Sequence, residues 1–302
     1  MKFTHYILLI VLMCSRVHAS EKADMLIFSF DRPAQLYAFL ESIDTYVTGL
    51  NQLSVLYRSS TVEYDVAYEI CFDAFKHLNI ILIKQGADPR SDFKDLTLKW
   101  LASTTQEFIL FGVDDIIVKD YINVSECIEH LQKTNAHGFY LRLGKNITQC
   151  YTEGIETPVP PHQEVAPGVY SFIFQDGKGD WGYPSSVDMT IFWASEVKAI
   201  VPELYFHTPN SFEGAWAVRA LGLLGWYPRD MHKTGLCYAE SKMVNIPLNL
   251  VQMEYLASKN MGYPAWLLQK KFMAGLKLDI KKYYQISNKA AHMEMVPTFI
   301  TR

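Results

Sequence analysis

The feature that most constrains this chain is a regular alternation over residues 25–118. "MLIFSF" (25–30) is an apolar run of buried-strand length. "RPAQLYAFLESID" (32–44) follows, with Pro33 at a helix-start position and Leu36, Phe39, Leu40 and Ile43 at helical spacing. "LSVLYRS" (53–59) reads as a second strand and "TVEYDVAYEICFDAFKHL" (61–78) as a second helix with Thr61 as its cap. "NIILIK" (79–84) is a third strand, "SDFKDLTLKWLAST" (91–104) a third helix capped by Ser91, and "EFILFGV" (107–113) a fourth strand. A β-α-β-α-β-α-β order predicts a parallel sheet covered by helices, because parallel strands need crossovers and the helices supply them.

From residue 136 the pattern loses its regularity. "GFYLRLG" (138–144) and "GVYSFIFQ" (168–175) read as strands, and the proline-rich "TPVPPHQEVAPG" (157–168) between them as a loop. "YPAWLLQKKFMAGLKL" (263–278) reads as helical. No change of charge or linker composition marks a boundary, so the chain reads as one domain over 25–295. Residues 25–122 form its regular half and 136–295 a more variable half.

The fourth strand ends in "DD", Asp114 and Asp115, inside a run that otherwise reads as core. Open α/β sheets bind ligands at the carboxyl ends of their strands. Two carboxylates held together repel, and burial worsens this. A divalent cation would relieve both problems, since Mg²⁺-type ions bind through one or two carboxylates with substrate phosphates completing the shell. The competing reading is local: Asp115 or Asp120 starts the next helix, and the neighbour is exposed.

Composition narrows the function classes. Of 302 residues, 49% are hydrophobic and the net charge is -4, which argues against a nucleic-acid binder. Residues 1–19 carry Lys2, an apolar stretch and a small-residue site ending at Ala19, the layout of a cleaved signal peptide. The run is too short to span a bilayer, so the expectation is an exported or secretory-pathway protein, with a cytoplasmic or membrane-associated one as the alternative. Beyond that segment, Cys71, Cys127, Cys150 and Cys237 have wide spacings with no zinc pattern; they are bridged or are buried thiols. Asn123 and Asn146 begin glycosylation sequons, which matter only in a eukaryotic secretory pathway.

"SFDRPAQL" (29–36), at the end of the first strand, resembles the S-x-x-R-P-x-x-L opening of GT-A-type nucleotide-sugar glycosyltransferases, and "ILFGVDD" resembles their DxD strand with Val113 in the first acidic position. The resemblance is fair over residues 25–122 and scattered beyond. It implies a GT-A-like, Rossmann-like α/β fold and metal-dependent, inverting transfer from a UDP- or GDP-linked sugar to a glycan or other hydroxyl acceptor. Asp115 would hold Mn²⁺ or Mg²⁺, with Asp114 assisting or facing the ribose. Ser29, Asp31 and Arg32 would lie against the nucleotide, although Arg32 could equally pair with Asp31. His292 would be a further metal ligand or a structural histidine. Glu213, in "PNSFEGAW" (209–216) with Ser211 as the helix cap, would be the general base, or an acidic residue favoured by the helix dipole. Asp180 and Asp188 are secondary candidates for base or acceptor contact. They lie in a glycine-rich loop (176–193) that suits an acceptor-binding or lid segment, in which Trp181 and Tyr183 would stack on sugar or fill core. Two rival functions stand beside this: a glycosyltransferase-like binding protein without turnover, and a nucleotidyltransferase, whose usual glycine-rich first loop "SFDRPAQL" lacks.

Overall fold

A computed structural model describes residues 21–86, 88–223, 229–249 and 262–302. The signal-peptide expectation for 1–19 lies outside these residues. A nine-stranded sheet dominates, built from β1 (Ala23–Phe30), β2 (Leu50–Arg58), β3 (Ile81–Lys84), β4 (Phe108–Val113), β5 (Gly138–Tyr140), β6 (His162–Ala166), β7 (Val169–Ile173), β8 (Thr190–Trp193) and β9 (Thr234–Tyr238). Across the sheet the order is β6-β7-β9-β5-β8-β4-β1-β2-β3. The expected parallel unit is there: β4, β1, β2 and β3 pair parallel in succession. β9 and β5 are also parallel, and the remaining neighbours in the second half run antiparallel.

Alternate residues of β1 face opposite layers, as strand geometry requires. Met25 and Ile27 join one core with helices α1 (Pro33–Tyr46), α2 (Val62–Ala74) and α4 (Val124–Thr134). Leu26 and Phe28 join a second core with α3 (Pro89–Ser103), α5 (Ala194–Ile200) and α6 (Pro209–Leu221). Helix α7 (Ala265–Met273) adds Leu268 and Phe272 to the first core. Gly112 lets α1 come close to β4: a Cβ there would sit 2.7 Å from Met25 Cε and 2.9 Å from Phe39. Among the described residues, no helix is long and apolar enough to cross a membrane.

Several local expectations are corrected. Asp88, not Ser91, caps α3, accepting from the Arg90 backbone. Thr61 occupies the cap of α2 but makes no side-chain cap bond. The proline-rich stretch is not all loop: 162–166 pairs with β7, because the five residues between Pro161 and Pro167 keep their backbone donors for a ladder. Cys71, Cys127, Cys150 and Cys237 are buried free thiols.

Candidate active site

The chain runs from β1 out to β3, then returns to place β4 on the other side of β1. That reversal is the switch point, and the ends of β1 and β4 meet in register, with Phe28 beside Val113. A cleft of about 240 Å³ opens there. Asp114 and Asp115 form the turn between β4 and the short strand Ile116–Val118. They do not start a helix; Asn123 caps α4 instead, accepting from the Ser125 backbone.

The short strand recruits the second half of the chain. Ile116–Val118 pairs antiparallel with Met243–Asn245. Asn245 bridges in turn to His292. Two distant segments, 243–245 and the one at His292, therefore converge on the aspartate turn. Asn245 Nδ2 donates to Asp115 Oδ1 at 2.9 Å. Asn245 Oδ1 is buried and finds no donor among the described residues.

The repulsion within the pair is met by Arg32. Its Nη1 donates to Asp114 Oδ1 at 3.0 Å and to Asp115 Oδ2 at 3.1 Å. Nε and Nη2 donate to Asn249, at 2.9 Å to Oδ1 and 2.6 Å to the carbonyl. Asp114 also accepts from Ser29 Oγ at 2.9 Å and the Phe30 backbone at 3.2 Å. The buried Tyr68 hydroxyl, 2.6 Å from Ser29 Oγ, accepts from the Arg32 backbone and fixes this loop. Burial still pushes the Asp114 carboxyl up to about 6, with Arg32 opposing and Asp115 adding to the rise.

Facing the pair, Asp188, Glu213 and His292 line the same cleft. Helix α6 delivers Glu213. It starts at Thr208, whose side chain and that of Ser211 form a reciprocal capping box, so Ser211 is the partner of the cap and not the cap. Glu213 Oε1 accepts from the Val187 backbone at 2.9 Å, which places it beside Asp188. Burial, then the Asp188 charge, pushes Glu213 up to about 7. Burial likewise pushes Asp188 up to about 7, against Arg142 and with Asp115. His292 Nε2 lies 3.7 Å from Asp188, and its ring stacks on Tyr151.

Two predicted site residues do not reach the cleft. Asp31 adopts a left-handed backbone (φ 52°) and turns away, accepting from the Ser60 backbone at 2.8 Å and its hydroxyl at 2.6 Å. It is not the partner of Arg32. Asp180 holds the buried Arg142, at 2.5 Å from Nη1, away from the cleft lining. Trp181 is core, 1% exposed, with its indole donating to the Ile147 carbonyl. The glycines around it are packed: a Cβ on Gly177 would meet the Trp181 backbone at 2.6 Å, so this segment is not a loose lid. Asn245, Asn249 and Tyr68 carried no sequence signal, since lone amides and phenols have no motif.

Among the described residues, no three His, Cys, Asp or Glu side chains form a ready-made metal cage. A Mg²⁺-type ion needs only one or two carboxylates beside phosphate oxygens. The donors present fit that demand: Asp114 and Asp115 at the turn, an oxygen-rich surround, and the orphaned carbonyl of Asn245 next to Asp115.

No family model matches the chain. In sequence it is similar to the bifunctional glycosyltransferase pgtA of Dictyostelium discoideum, 26% identical over 212 residues. That match covers 62% of this chain and 27% of the relative, so the chain spans about a quarter of that protein's length. Solved structures share it more distantly. S. aureus TarS 1-349 gives a TM-score of 0.47 at 13% identity, covering 74% of this chain and 59% of that one. The mannosyltransferase PcManGT of Pyrobaculum calidifontis, in complex with GDP-Man and Mn²⁺, gives 0.39 at 9%, covering 73% and 58%. UDP-glucose pyrophosphorylase gives 0.40 at 12%, covering 74% and 92%. The resemblance read from the two motifs stands: in sequence the chain is similar to a glycosyltransferase.

Proposed function

We propose that the cleft transfers a glycosyl group from a nucleotide-diphosphate sugar to an acceptor hydroxyl, with inversion at the anomeric carbon. One observation carries this reading. The switch-point cleft sets a carboxylate pair at the end of β4 opposite a half-buried glutamate whose carboxyl is pushed up to about 7 by desolvation and by Asp188. The sequence relative, itself a glycosyltransferase, supports it.

Glu213 accepts the proton of the acceptor hydroxyl as that oxygen attacks the anomeric carbon. A base poised near pH 7 is suited to this, being free to take the proton and strong enough to hold it. The bond from the anomeric carbon to the diphosphate breaks in the same step, through a transition state of oxocarbenium character. Arg32 and the Ser29 loop orient the diphosphate at the β1 end. Asp115 would hold a divalent cation, with Asp114 beside it and His292 within the same cleft. Such an ion, when bound, offsets the charge gathering on the leaving diphosphate. Burial, and after it the charge of Asp188 beside it, keeps the pKa of the base high.

A panel of nucleotide sugars with Mn²⁺, read by donor hydrolysis, tests the reading. One donor should be consumed by the wild type and not by Asp115→Ala. A second reading, a sugar-nucleotide-binding protein without turnover, is favoured by the ion pairs that already satisfy both aspartates. Binding without hydrolysis across the panel would select it, and no binding to any donor would sink both.

A further inference from the structure

We infer that Arg32 is a built-in counterion that competes with a divalent cation for Asp114 and Asp115, so that the free protein binds such a cation weakly. This rests on the reading of the cleft as a cation and diphosphate site. A single nitrogen, Nη1, serves both carboxylates, at 3.0 and 3.1 Å. The rest of the guanidinium is held from the far side by the Asn249 side chain and carbonyl. Its backbone is pinned by Tyr68, and the next residue, Pro33, is the first of α1. The group is thus built into position and not merely drawn there.

Arg32 already offsets one of the two negative charges the pair would offer a metal. Asp115 is engaged on both oxygens, by Arg32 and by Asn245. A hard cation arriving alone must share or displace these bonds. A diphosphate changes the balance, because guanidinium forks bind phosphate oxygens well. Donor and cation then enter together, with Arg32 moving its bonds from carboxylate to phosphate. The nucleotide thereby gates the metal.

The test is a titration of the full chain with Mn²⁺ alone, followed by the free-ion electron paramagnetic resonance signal, without nucleotide. Arg32→Gln should bind Mn²⁺ on the order of tenfold more tightly than the wild type, the effect of removing one opposing charge at this range. Arg32→Lys, which keeps the charge, should stay close to the wild type. Equal or weaker binding by Arg32→Gln overturns the inference, as does Arg32→Lys binding as tightly as the glutamine variant. The wild type gives an independent reading if a variant fails to fold. Its Arg32 Nε–H should remain slowly exchanging in nitrogen-15 spectra under millimolar Mg²⁺, and loss of that signal under Mg²⁺ alone overturns the inference. No donor sugar enters either measurement, so their outcome is separate from that of the hydrolysis panel.

Discussion

Glu213 binds its proton more tightly in the folded chain than in the unfolded one, and two consequences follow. Its pKa rises from an ordinary 4.5 to about 7 because burial and Asp188 disfavour the charged form. As the proposed base it must be deprotonated, so kcat/KM should climb with pH through a limb near 7. Asp188 titrates in the same range, so the limb belongs to the pair. Glu213→Gln should lower kcat by about 10²–10⁴-fold. Stability moves the other way. The folded state holds more protons than the unfolded between about 4.5 and 7, so these groups subtract stability as pH rises through that window. Glu213→Gln should therefore melt higher than the wild type at pH 8, by roughly 2–4 °C per kcal/mol recovered. Thermal melts at pH 8 and pH 4.5 check this, and the gap should close at the lower pH. At this scale the cleft positions of the acidic turn, Glu213 and Asp188 were legible in the sequence, each having a strand end or helix start beside it, whereas His292 came only from the resemblance. The roles of Asp31 and Asp180 were not. A carboxylate's partner is fixed by what folds against it, and here that is Ser60 and Arg142.

Elements carry the site by their ends. Thr208 sets where α6 begins and hence where Glu213 points, so Thr208→Ala should cost about 1 kcal/mol in urea unfolding and lower activity beyond that loss. Trp181→Ala should cost about 3–5 kcal/mol, as a filled core position does. A sugar-stacking tryptophan would instead raise KM with little change in stability. Gly112→Ala should cost about 1–3 kcal/mol, since α1 lies against β4 there. The first four strands and three helices were legible because period and length agree in each. The strand at 162–166 was not, because edge pairing against β7 overrides a poor local signal.

For the whole molecule, what matters is the strand order. The parallel unit could be inferred from β-α alternation, but nothing in the sequence states that β4 returns beside β1 or that β8 continues the sheet antiparallel from it. That return makes the switch point. The pairing of Ile116–Val118 with Met243–Asn245, and of Asn245 with His292, then closes the cleft from residues more than a hundred positions away. Motifs are local and this closure is not, which is why the strand-end half of the site could be read and the amide-lined half could not. The central claim is inverting transfer at the cleft of Asp115 and Glu213. Its most direct test is a proton NMR time course of the donor found by the panel, with Mg²⁺ and wild-type protein. The account predicts loss of the donor's anomeric doublet and first appearance of the opposite anomer, both absent with Glu213→Gln. A product that first appears with the donor's own anomeric configuration, or equal turnover by Glu213→Gln, would contradict it.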